Sequence, residues 1–153
     1  MQPETGFLTQ YKGLAGAIFL VLTAAFGLAV LVQIFLAGEA SMIEPDDWAR
    51  HVAWIHLFQW ISVPLPFAAY IARRKLGFAL VNCTPIVIIG IQYVLIHRAV
   101  AQARAPLAGL HAVCGALLIA YVAFVLQEWR WGCVRRSGVR APASRSRAGG
   151  RRS

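Results

Sequence analysis

Apolar residues run in four long blocks, and the charged ones are confined to the joints between them. Residues 14–37, 52–72, 76–96 and 105–127 contain no Asp, Glu, Lys or Arg, and each block matches the roughly 20 apolar residues a helix needs to cross a hydrocarbon core. The runs are continuous, without the alternation of a half-buried strand or the polar stripe of a soluble amphipathic helix. They predict four membrane-spanning helices in an all-α, integral membrane fold.

The joints fix how those helices connect. Three residues, 73–75, separate the second and third blocks, and residues 97–104 separate the third and fourth, so each of these pairs must be adjacent and antiparallel. Residues 38–50 form the longest joint, acidic through Glu39, Glu44, Asp46 and Asp47, with Asp46 or Asp47 placed to cap the second helix at Trp48. An up-down-up-down four-helix bundle follows, spanning residues 1–127, with an Arg-rich tail at 128–153. Pro64 and Pro66 in the second block and Pro85 in the third should kink their helices, because proline lacks a backbone donor and crowds the preceding turn.

Composition reinforces the pattern. The chain has 153 residues, 59% of them hydrophobic and 14% charged, at a mean hydropathy of +0.62, too apolar for a soluble domain of this size. The first block, at 24 uncharged residues, exceeds the roughly 7–15 of a signal-peptide core and reads as a retained span.

A formal charge of +9 points toward nucleic acid until the charges are placed along the chain. With four spans, both termini and residues 73–75 share one side, and that side carries 12 of the 15 basic residues, leaving only Arg50, Arg98 and Arg104 on the other. Basic joints stay cytoplasmic, so the expected orientation is N-in and C-in, in a bacterial cytoplasmic membrane. The tail then reads as a segment that meets anionic lipid headgroups, with Trp129 and Trp131 as interfacial anchors, and its last 15 or so residues, poor in apolar side chains, as disordered. Nucleic-acid binding is set aside. Cys83, Cys114 and Cys133 form no paired framework or CxxC spacing, so no disulfide is expected.

The polar residues inside the spans carry the chemistry. His51, His56, His97 and His111 all map to the extracytoplasmic half, as do Gln33, Gln59 and Gln92. Polar groups in a span tend to face the bundle interior, where other side chains satisfy them. A short repeat links several of these. Val32-Gln33-Ile34-Phe35-Leu36 is followed by His51, 18 positions after Gln33, and Ile91-Gln92-Tyr93-Val94-Leu95 by His111, 19 positions after Gln92. Two helical hairpins related by an axis along the membrane normal would produce such a repeat.

His51 and His111 fall on spans two and four, which lie diagonally in a sequential bundle, roughly 11–14 Å apart for helices packed ~8–10 Å from their neighbours. That gap suits a haem b held by one imidazole from each side. His51 and His56 cannot both serve one metal, since five residues' separation turns them about 140° apart on a helix. His51 has the repeat and lies nearer water; His56 has Gln59 three residues on, forming a polar stripe. Gln33, Gln92 and the histidine not used as a ligand would then be outer hydrogen-bonding groups. Ala108, Cys114 and Gly115 beside His111 are small, which serves either close helix packing or a flat macrocycle. Zinc suits the set less well, because no acid or thiolate lies at a depth to complete four ligands.

Gln33-x-x-Leu36-Ala37-Gly38 closing the first span, His51 opening the second, Gln92 late in the third and Leu110-His111 opening the fourth resemble a family of small four-span bacterial membrane proteins catalogued as a domain of unknown function. The resemblance covers about residues 14–127 and implies a four-helix membrane bundle without an assigned activity. In outline the arrangement is also similar to four-helix b-type cytochromes. The expected function is therefore a haem-binding protein for electron transfer or haem handling. Its alternative is a non-catalytic bundle, either an accessory or structural subunit of a larger membrane complex or a protein organising lipid, with a larger complex or a homo-oligomer as its partners. Nothing in the sequence supplies a nucleophile with its base, a phosphate-binding glycine loop or paired carboxylates.

Overall fold

The computed structural model describes residues 4–43, 45–102 and 105–137. Six α-helices account for nearly all of these: α1 (Glu4–Met42), α2 (Trp48–Phe58), α3 (Pro64–Arg73), α4 (Leu76–Val81), α5 (Thr84–Gln102) and α6 (Ala105–Ser137). They make up four membrane-capable segments, Gly13–Met42, Trp48–Arg73, Leu76–Gln102 and Pro106–Gly132, with mean hydropathies of 2.6, 1.3, 2.0 and 2.2. Only 22–33% of each segment's apolar window is buried inside the molecule. Phe35, Leu57, Phe67 and Leu80 are among the many large side chains left facing outward, an exterior that suits acyl chains and not water.

Each expected proline kink is instead a restart. Span two stops at Phe58, tightens into a 3-10 turn at Gln59–Ser62 and begins again at Pro64. Proline cannot donate to a preceding carbonyl, so Pro64 takes the first position of α3 and Pro66 the third, where no intrahelical donor is required. Ser62 Oγ donates to the Gln59 carbonyl at 2.6 Å, satisfying an acceptor that the break releases. Span three behaves likewise: α4 ends at Val81, and Pro85 is the second residue of α5. Asn82 fills the gap, its Nδ2 donating to the Phe78 carbonyl at 2.7 Å while its Oδ1 accepts from Tyr121 Oη at 2.7 Å.

The joints differ from expectation in length. The first helix continues to Met42, and a second 3-10 turn, Pro45–Asp47, precedes α2, so the slack expected across residues 38–50 is largely helical. Asp47 does occupy the N-cap position but makes no side-chain cap bond. Its carboxylate turns instead to Arg50 at 3.2 Å, and Arg50 also reaches Glu39 at 3.6 Å. The last helix runs on to Ser137, past the expected limit at 127. The terminal segment expected to be disordered lies outside the described residues from 138 on, as do Glu44 and Arg104.

The core sits along α1, which packs on α2, α3 and α6, while α5 packs on α6 and on the 3-10 turn of span two. Phe19, Phe26, Val30, Leu65, Leu118 and Val125 are its most buried side chains. Glycine lets α1 and α6 approach: a Cβ on Gly27 would stand 2.9 Å from Val122 Cγ1, and one on Gly16 3.1 Å from the Trp129 ring. Small residues serve this purpose in membrane helices, where dispersion between close backbones replaces the hydrophobic effect.

The end of the molecule near residues 73–75 is closed by an aromatic knot. Phe19, Phe78 and Trp129 pack with ring centres 5.3–6.5 Å apart, and the Arg73 guanidinium lies 5.0 Å from the Phe78 ring centre and 4.6 Å from that of Trp129. Arg73 also donates to the Glu128 and Trp129 carbonyls, each at 3.3 Å. It thereby ties span two to both spans of the second hairpin.

Candidate functional site

At the opposite end the four repeat residues come together. His51, near the start of α2, is 8% exposed, whereas His56 is exposed; of the two rings on this helix, His51 is the one that turns inward. Its Nδ1 lies 3.2 Å from the Gln33 backbone carbonyl on α1, and its Nε2 lies 3.0 Å from Gln33 Nε2. A carbonyl can only accept, so the proton belongs on Nδ1, and Nε2 accepts from the amide.

The second hairpin repeats the first of these contacts. His111 Nδ1, near the start of α6, lies 3.4 Å from the Gln92 backbone carbonyl on α5, which fixes the same tautomer. The side chains then diverge. Gln92 Nε2 donates to the His111 carbonyl at 3.3 Å, so His111 Nε2 has no hydrogen-bond partner among the described residues. Each hairpin is thus latched by one histidine–glutamine clamp.

The two clamps meet. The rings of His51 and His111 stand edge to face with centres 6.3 Å apart, closer than the diagonal between helix axes because both side chains reach inward from their backbones. Trp48 caps the pair, its ring 5.2 Å from that of His51. Gln33 Oε1 is buried and has no hydrogen-bond partner among the described residues. An orphaned acceptor in a dry site costs about 1–3 kcal/mol, so this atom marks a place where a donor would be welcome.

As a donor set, two imidazoles whose Nδ1–H groups are held by carbonyls present Nε2 as the ligating atom, with tautomer and ring orientation fixed as they are for metal-binding histidines. Metal–imidazole bonds run about 2 Å on each side, whereas the rings stand edge to face at 6.3 Å with His51 Nε2 turned to the Gln33 amide. Iron would have to displace the Gln33 amide from His51 Nε2, while His111 Nε2 is already available. A Cβ built on Gly115 would meet Gln92 Nε2 and Ile34 at 3.9 Å, ordinary van der Waals contact, so that glycine leaves space for about one methyl group beside the pair. Among the described residues no group of three or more His, Cys, Asp or Glu side chains is arranged to hold a metal ion, which leaves zinc without a protein ligand set.

His56 and His97 lie elsewhere. His56 Nδ1 is 3.3 Å from Tyr93 Oη, which donates to Gln59 Oε1 at 3.1 Å, and His97 stacks on Tyr93. Three polar residues with structural weight carry no histidine signal and escaped the sequence reading: Asn82, Tyr121 and Tyr93. A lone Asn inside an apolar span was the available clue for the first, since lipid gives its amide no partner.

Fold and site together define the class, an all-helical chain with four membrane-capable helices and a paired-histidine site at one end. Within it, residues 33–104 match the model of a family described as Family of unknown function (DUF6220), in agreement with the resemblance carried by Gln33, His51 and Gln92. Leu110 and His111 lie beyond the matched stretch. Neither a curated protein nor a solved structure matches the chain.

Proposed function

We propose that this protein is a small b-type haem protein of the bacterial cytoplasmic membrane, an up-down-up-down bundle with both termini cytoplasmic and its haem held near the extracytoplasmic face. The observation that carries the reading is the convergence of His51 and His111, one from each hairpin, with both Nδ1 protons committed to backbone carbonyls. Bound there, haem would supply one-electron chemistry, for electron transfer or haem handling.

The chain's own residues do the rest. The carbonyls of Gln33 and Gln92 orient the rings, and the Gln33 amide holds His51 Nε2 until a ligand competes for it. Purified protein expressed with adequate haem should show a Soret band and paired ferrous bands, both lost in His51→Ala and His111→Ala; a colourless wild-type protein would overturn the assignment. The orientation rests on the basic residues at 73–75 and beyond 128. Single cysteines added at residues 75 and 43 should react with an impermeant maleimide in intact cells only at 43.

A second reading is favoured by the Gln33 amide that already occupies His51 Nε2. In it the clamps are interhelical hydrogen-bond glue in a non-catalytic subunit that packs in a larger complex or with copies of itself. It expects His51→Ala to leave function intact, and a stoichiometric partner to co-purify. On either reading, the Arg-rich terminal segment suits an anionic lipid surface.

A further inference from the structure

The flank between α2 and α5 carries a second set of polar rings that the paired-histidine site does not use. Tyr93 is its centre: the His56 ring stands 6.0 Å from it at 37°, and the His97 ring stacks 6.3 Å away at 20°. His97 stacks on Tyr93 while His56, tilted, meets its hydroxyl end, so the three rings follow one another in a column along the side of the molecule. His56 and His97 are exposed, and so are the apolar neighbours Leu57, Trp60 and Val94. The column therefore opens sideways toward the acyl chains.

Polar atoms on a lipid-facing surface are costly unless something partners them. Hydrogen counting shows what is left over. Tyr93 Oη–H donates to Gln59 Oε1, so Nδ1–H of a neutral His56 donates to Tyr93 Oη, leaving His56 Nε2 as a bare acceptor. Gln59 Nε2 spends one proton on the His56 carbonyl at 3.5 Å and keeps the other. The flank thus offers one acceptor and one donor, unpartnered among the described residues, beside these aromatic rings. It lies near the outer edge of the hydrocarbon layer, since His56 precedes Arg73 by 17 residues, about 25 Å of helix at 1.5 Å per residue.

We propose that this flank binds the headgroup of a membrane quinone, its ring against the His56–Tyr93–His97 column and its oxygens at His56 Nε2 and Gln59 Nε2, with the isoprenoid tail remaining in the bilayer. The converging groups carry no permanent charge, so they suit a neutral ring bearing hydroxyl or carbonyl oxygens better than a lipid phosphate. The site is separate from the His51–His111 pair and does not depend on a haem being bound there.

Full-length protein in nanodiscs, titrated with decylubiquinone and followed by quenching of tryptophan fluorescence, tests the assignment. Saturable quenching is expected, weakened up to about tenfold in His56→Leu, which removes the acceptor, and measurably in Tyr93→Phe, which frees His56 and Gln59 from the hydroxyl that orients them. Phe67→Ala, an exposed residue of α3, should bind as the wild type does. Tyr93→Phe removes only a hydroxyl, so the test survives if His56→Leu does not fold. Quenching that rises linearly as in empty nanodiscs, equal affinity in every variant, or competition by a lipid phosphate in place of the quinone overturns the proposal. So does a flank found covered by a second copy of the chain with no quinone binding. Haem content, read separately from the visible spectrum, distinguishes failure here from failure of the haem reading.

Discussion

Arg74 is the one described non-glycine residue with a positive φ, 54°, and it ends α3 in the left-handed conformation while its N–H bonds the Tyr70 carbonyl at 2.6 Å. A side chain there costs about 1–2 kcal/mol relative to the right-handed region. Arg74→Gly should therefore raise stability by roughly 1 kcal/mol after glycine's larger unfolded-state entropy is counted, seen as a higher midpoint of thermal unfolding in detergent. Arg73 and Lys75 keep the turn basic, so the orientation should not change. At this scale the sequence was partly legible. The Gln33/His51 and Gln92/His111 spacings marked the residues that meet, and the helical angle between His51 and His56 said that only one could face inward. Which one it is depends on the rotation of α2 about its axis, and that is set by packing that includes Trp54 Nε1 donating to the Ala29 carbonyl at 2.9 Å. No short-range pattern records such a contact.

Among the elements, α1 and α6 owe their proximity to glycine. Val122 is β-branched and stiff, so a methyl group on Gly27 cannot be absorbed by a rotamer change and must push the helices apart. Gly27→Ala should destabilise the protein by about 1–3 kcal/mol, and Val122→Ala combined with it should recover most of that loss; equal stability of the single variant and the wild type would show that the contact is slack. The number and positions of the spans were legible because lipid imposes a length and an apolarity that no local propensity can disguise. Helix ends were less so. Residues 38–42 read as loop from their Gly and Glu, yet they continue α1, where Glu39 faces Arg50. The prolines were legible as interruptions but not as clean restarts, which depend on Ser62 and Asn82 accounting for the freed backbone groups.

The described residues form two helical hairpins, packed together along α1 and α6 and held besides by three polar and aromatic devices. The His–Gln clamps lie within hairpins, the aromatic knot under Arg73 lies between them at one end, and the His51–His111 and His56–Tyr93 contacts lie between them at the other. Each clamp thus closes a single hairpin without help from its neighbour. The consequence is one of fragment complementation: the covalent link at 73–75 should be dispensable. Residues 1–74 and 75–153, expressed as separate polypeptides with a tag on one, should insert independently and co-purify through the α1–α6 core and the Arg73 knot; fragments that insert but fail to co-purify would show that the link is needed.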